Sequence, residues 1–161
     1  SMDSYGKYLA ITYGISLVLS YGLGSLADRL HPLRMGIIAM IGYALVSIWG
    51  GLFATTQNSF AVGFILHGVL SGVYFTGAAS LGQRLFPKAQ FAQFASAAGI
   101  MGSICYMFLP PLVGMFLDLS GHNYRLTFLM GFGLSVLALG ALLVVYRKFQ
   151  NLGGDKNYVA P

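Results

Sequence analysis

No Lys, Arg, Asp or Glu occurs from Met35 to Gln83, from Ala89 to Leu117, or from Leu126 to Tyr146. A hydrocarbon core about 30 Å thick is crossed by about 20 helical residues, so each window can span it and the first can do so twice. Only 8% of the 161 residues are charged, where a soluble domain carries about a quarter. A soluble surface built from this chain would lack polar cover. The fold class is therefore all-α, a polytopic membrane protein in contact with the lipid bilayer.

Five helices fit the pattern, over about 5–27, 33–53, 59–85, 89–119 and 124–149. Thr55-Thr56-Gln57-Asn58-Ser59 forms a polar turn before the third. Pro87 suits the first turn of the fourth. Ser120-Gly121-His122-Asn123 turns into the fifth, and residues 150–161 form a polar tail. Residues 1–4 are an N-terminal flank, in which Ser1-Met2 reads as a tag-cleavage scar. Short connectors make successive helices antiparallel neighbours. Pro110-Pro111 is expected to break the hydrogen-bond ladder of the fourth helix.

Basic residues set the expected orientation. Arg29, Arg34, Arg84, Lys88, Arg147, Lys148 and Lys156 fall on one side, and Lys7 and Arg125 on the other. The richer side is cytoplasmic by the positive-inside rule. The C-terminus is then cytoplasmic and, with five spans, the N-terminus outside; the expected location is the bacterial inner membrane. The net charge of +5 is topogenic, and no nucleic-acid partner is implied. The single cysteine, Cys105, forms no intrachain disulfide. Aromatics near helix ends, including Tyr5, Trp49, Phe53 and Tyr146, fit interface belts.

Lipid tails give membrane helices no hydrophobic reason to associate, so small residues mark contact faces. Gly68 and Gly72 form such a face on the third helix; Ala95, Gly99 and Ser103 form one on the fourth. Asp118 and Arg125 flank the outer turn and are expected to anchor it.

The string Gly24-Ser25-Leu26-Ala27-Asp28-Arg29, followed by Arg34, resembles the loop signature of the major facilitator superfamily, G-x-L-a-D-r-x-G-r-[KR]. Gly24, Leu26, Asp28 and Arg29 match; His31 stands at the usual glycine, and the later basic cluster is thinned to Arg34. Arg84-Leu85-Phe86-Pro87-Lys88-Ala89-Gln90-Phe91-Ala92-Gln93-Phe94 resembles the family's connector between the fourth and fifth helices of a six-helix half. The resemblance makes the chain five helices of an MFS-type half, corresponding to helices eight through twelve of about 12. It implies a missing N-terminal half, or a second copy of the chain, as partner. It also implies a secondary transporter that moves a small-molecule solute by alternating access, with Gly24, Asp28, Arg29 and Arg34 as a gating motif. Asp28 lies at a helix C-terminus, where the dipole disfavours an acid; Arg29, Arg34 or a helix N-terminus in a partner half is expected to compensate it. A solvated stop signal is the plainer reading of the same charges.

His67 lies well inside the third helix, with Ser71 and Tyr74 four and seven residues on along one face. Intramembrane ionisable groups usually face a cavity or a bundle interior. These three are candidate solute ligands, or His67 is simply hydrogen-bonded between helices. Tyr13 and Ser16, with Ser20, make a second polar face on the first helix, which ordinary interhelical hydrogen bonds would also explain. No Asp, Glu, Lys or Arg lies mid-membrane, so a neutral polar, sugar-like solute is expected. The sequence has no metal-ligand spacing, nucleophile–base pair or phosphate loop, so neither enzymatic activity nor a cofactor is expected. Two alternatives stay open: a self-contained half-size exporter acting as a homodimer, and a membrane scaffold subunit without substrate.

Overall fold

The computed structural model describes residues 2–160, with side chains from Gly6 onward apart from that of Ala27. The readings of Ser1-Met2 as a scar and of Tyr5 as an interface aromatic lie outside the described residues. Five long helices follow one another: α1 (Met2–Leu30), α2 (Pro32–Phe53), α3 (Gln57–Leu85), α4 (Phe91–Leu119) and α5 (Arg125–Asn151), then a short α6 (Gly154–Asn157). A 3₁₀ turn at Lys88–Gln90 leads into α4. No strand occurs among the described residues.

The helix boundaries have local causes. His31 alone separates α1 from α2: its backbone has φ 64° and ψ 133°, its Nδ1 accepts from Leu33 N–H, and Pro32 opens the next helix. A non-glycine residue seldom adopts positive φ, which gives a physical reason for glycine at this position of the loop signature. α3 starts at Gln57, inside the expected polar turn. Thr56 caps it, with Ser59 N–H donating to Thr56 Oγ1 at 3.2 Å and Thr56 N–H to Ser59 Oγ at 3.0 Å. This reciprocal capping box satisfies two donors that would otherwise be orphaned.

Pro110 and Pro111 do not interrupt α4, contrary to the expected break; the helix is continuous from Phe91 to Leu119. Each proline removes one N–H from the ladder, at the carbonyls of Tyr106 and Met107, while the flanking bonds hold the turn. Membrane helices accept proline in this way.

Sequence neighbours do not simply pack in order. α2 is the hub, lying against both α3 and α5, while α1 lies along α3 and touches α2 little; α4 makes only marginal contact with α3 and α5. Small residues decide these partners. A Cβ on Gly50 would sit 2.8 Å from the Phe128 ring, and one on Gly51 would overlap the Leu129 side chain. These two glycines let α5 close on α2. A Cβ on Gly42 would stand 3.0 Å from Leu70 on α3. Gly68 and Gly72 take Thr12 and Ser16 of α1 against them. Close backbone approach through small residues replaces hydrophobic association in lipid. The Ala95/Gly99/Ser103 face of α4 is not such a seam here, since a Cβ on Gly99 would meet nothing within 4 Å.

Arg125 ties the start of α5 to the end of α2. Its Nη2 donates to the carbonyls of Gly51 and Leu52, at 3.0 and 2.6 Å, and so caps the C-terminus of α2, where carbonyls lack intrahelical partners and the dipole favours a cation. Asp118 faces His122, at 3.6 Å.

Candidate functional site

Two features could carry function: a charged cluster at the end of the bundle that holds Asp28, and a cavity between helices.

The charged cluster joins four elements. Asp28 Oδ1 accepts from Arg84 Nη2 at 3.0 Å. Neither Arg29 nor Arg34, two of the three expected partners, pairs with Asp28 here. α1 packs along α3, so the last turns of both helices, carrying Asp28 and Arg84, meet at one end. The Asp28 side chain is 78% exposed and that of Arg84 38%, so the pair adds at most about 1 kcal/mol of stability; such a contact is cheap to break. Arg29 has no ion-pair partner among the described residues. Gly24 borders open space.

Arg34 is taken by the tail. Its Nη2 lies 2.9 Å from Asp155 Oδ2, and its Nε donates to Tyr146 Oη at 3.1 Å. Gly153 and Gly154 have φ of 107° and 58°, and this left-handed pair folds the chain back on itself at the end of α5. Tyr158 Oη then donates to the Leu85 carbonyl at 2.8 Å. The buried ring of Phe149 packs between His31 and Tyr158, with centroids at 4.5 and 4.9 Å and the rings tilted by 31° and 44°. Residues 153–158 therefore strap α2, α3 and α5 together. Burial lowers the pKa of His31 from 6.5; Asp155 opposes this, and Arg84 and Arg34 add to it.

The cavity, about 370 Å³, lies between α2, α3 and α5, with Val113 of α4 at its edge. His67, Ser71 and Tyr74 all line it, because spacings of four and seven keep one helical face. Tyr43, from α2, joins them. Its Oη lies 3.2 Å from His67 Nδ1, and the two rings are 3.9 Å apart with a 47° tilt. The hydroxyl donates in this bond when the ring hydrogen is on Nε2. Phe128 meets the His67 ring edge-on at 6.1 Å. His67 thus makes an interhelical hydrogen bond and lines a cavity at once.

Tyr13 and Ser16 lie elsewhere. Ser16 faces Gly72 in the α1–α3 seam, and Tyr13, beside that seam on α1, is 65% exposed. Neither lines the His67 cavity. The Thr12/Ser16 stripe is a helix contact, with Thr12 Oγ1 donating back to the Tyr8 carbonyl; Ser20 Oγ likewise donates to Leu17 O. Sequence reasoning missed Tyr43 and Asp155. Tyr43 is flanked by Gly42 and Ala44 in an apolar run, and its hydroxyl is the only signal that could have drawn attention to it.

Five helices are long and apolar enough to cross a membrane, and the charges gather at their ends; these features define a polytopic α-helical membrane protein. The chain matches the Major Facilitator Superfamily over residues 1–156 and belongs to that family. The family consists of membrane transporters of small solutes, not enzymes. No curated protein and no solved structure matches the chain significantly.

Proposed function

We propose that this chain is the C-terminal part of a secondary transporter, with α1–α5 as helices eight through twelve, and that it moves a small neutral polar solute by alternating access. The observation that carries the solute site is the convergence of His67, Ser71 and Tyr74, with Tyr43, on one cavity. A carrier needs a few convergent polar groups inside the bilayer, reached from each side in turn. His67 can donate and accept hydrogen bonds, Ser71 and Tyr74 offer hydroxyls, and Tyr74 adds a ring face. Among the described residues, no Asp, Glu, Lys or Arg lines the cavity, which favours a neutral solute. Tyr13 and Ser16 stay outside this proposal.

The gate is proposed at Asp28. Its pairing with Arg84 is exposed and weak, which suits a contact remade as the cytoplasmic side opens and closes. Gly24, Arg29 and Arg34 complete the motif, Arg34 through the tail. The ends of α1, α3 and α5 and the strap all lie together, so the basic connectors and the C-terminus share one face. The positive-inside rule supports that face as cytoplasmic and the N-terminus as external, and the proposed location is the bacterial inner membrane.

A second reading, a half-size carrier acting as a homodimer, rests on α1 and α4, whose outward apolar residues are uncovered: Leu17, Val18 and Tyr21 of α1 are 75–94% exposed, and Met101 and Tyr106 of α4 are 63% and 71% exposed. Lipid, a missing half or a second copy would each cover them. The expected result for the site is that His67→Ala raises the half-saturating concentration for a neutral polar solute far more than it lowers protein abundance. Normal half-saturation per folded molecule would make His67 purely structural.

A further inference from the structure

The cavity beside His67 is not uniform around its wall. On α3, His67, Ser71 and Tyr74 face it together. Neither the Ser71 nor the Tyr74 hydroxyl is hydrogen-bonded among the described residues, and His67 Nδ1 is taken by Tyr43, which leaves Nε2. Phe75, whose ring meets Tyr74 edge-on at 5.7 Å, is the one apolar side chain that α3 adds.

α5 supplies a different surface. Met130, Leu134 and Ala138 recur at four-residue steps along it, and Met40 of α2 and Val113 of α4 extend the apolar lining. The two hydroxyls that α5 brings are already engaged: Thr127 Oγ1 donates to the Tyr124 carbonyl at 2.6 Å, and Ser135 Oγ to that of Phe132 at 2.8 Å. A hydroxyl has one hydrogen, so neither has a donor left, and Ser135 is itself buried. α3 and α5 each pack on α2 rather than on one another, so they form separate walls. One wall offers free polar atoms, and the other offers almost none.

This asymmetry selects among neutral solutes. A solute hydroxyl turned toward α3 exchanges water for protein partners. A hydroxyl pressed against Met130 or Leu134 loses its water and gains nothing, which is unfavourable. An apolar group at the same place is favoured, because it leaves water. We propose that the solute is a neutral amphipathic molecule, with hydroxyls along one edge held by Ser71, Tyr74 and His67, and an apolar ring on the other side held by Met130, Leu134 and Ala138. This rests on the reading of the cavity as the solute site, and it narrows the solute to glycosides and similar molecules that carry an apolar substituent.

The test compares radiolabelled glucose, phenyl β-glucoside and cyclohexyl β-glucoside, taken up by proteoliposomes containing the full-length protein and corrected for protein-free vesicles. The three share a sugar, and two add an apolar ring. Both ring-bearing probes are expected to half-saturate at a concentration at least tenfold below that of glucose, the effect of burying a ring. Met130→Gln is expected to erase most of that preference, and Met130→Leu to keep it. Leu134→Gln changes the same wall one turn on, at a residue 44% exposed; it is expected to act like Met130→Gln and replaces it if that variant does not fold. Equal half-saturation for the three probes, each weakened by His67→Ala, overturns the amphipathic solute and leaves the cavity reading standing. A ring preference that both glutamine variants leave intact, while His67→Ala weakens uptake, does the same. Half-saturation unchanged by His67→Ala and by both glutamine variants overturns the cavity reading and this inference together. Wild-type protein that carries none of the probes overturns the proposed solute class.

Discussion

Removing the Tyr43 hydroxyl isolates the polar contact that, among the described residues, ties α2 to the cavity face of α3. In Tyr43→Phe the ring stays, so the 3.9 Å ring contact with His67 is kept, and only the 3.2 Å hydrogen bond to Nδ1 is lost. Interhelical hydrogen bonds in membranes couple by about 0.6 kcal/mol on average and up to about 1.7. Both partners here are at least half-buried and Nδ1 has no other partner in the cavity, so a coupling near 1 kcal/mol is expected, toward the upper part of that range. The assay is a double-mutant cycle of Tyr43→Phe against His67→Ala, read by reversible unfolding in mixed micelles. Each single variant should lose stability, and the double variant should lose about 1 kcal/mol less than their sum. Transport should follow, with Tyr43→Phe raising half-saturation less than His67→Ala because it only frees the imidazole to turn. Strict additivity, with coupling below about 0.3 kcal/mol, would refute the idea that the hydroxyl positions the histidine.

Two further outcomes follow from the charged end. Asp28→Asn should slow transport while leaving insertion and abundance intact, and Asp28→Arg combined with Arg84→Asp should restore part of the rate; wild-type rates in Asp28→Asn would reduce the acid to a loop charge. His31 has a folded pKa below its unfolded 6.5, so its neutral form favours the folded strap. That stability is present above about pH 6.5 and is lost as the pH falls through 6.5 toward the lowered value. The thermal midpoint should therefore drop between pH 7.5 and 5.5 more in wild-type protein than in His31→Asn, which tolerates the positive φ; equal drops would remove His31 from the strap.

The spans were legible because hydrocarbon excludes charge, and windows such as Leu126–Tyr146 leave no other placement. The partners of each helix were not. Gly68 and Gly72 marked a contact face, but nothing local says that Thr12 and Ser16 fill it. The Gly50–Gly51 seam was hidden near a helix end, where glycine is commonplace. The Asp28–Arg84 pair needs two helix ends to meet across 56 residues of chain. The strap was hidden for another reason: Gly153 and Gly154 look like a flexible tail until their positive φ turns Asp155 onto Arg34. In the cavity, the spacing of His67, Ser71 and Tyr74 was readable from helical period alone. Tyr43 was not, since a single hydroxyl in an apolar run carries no pattern.

Alternating access to the cavity is the central claim, and a cysteine at Ser71 tests it directly. In a Cys105→Ser background of the full-length protein, Ser71→Cys should react with membrane-impermeant thiol reagents added from either side of sealed vesicles, and the transported solute should slow the reaction from both sides. Reaction from one side only, or reaction indifferent to solute, would contradict the account.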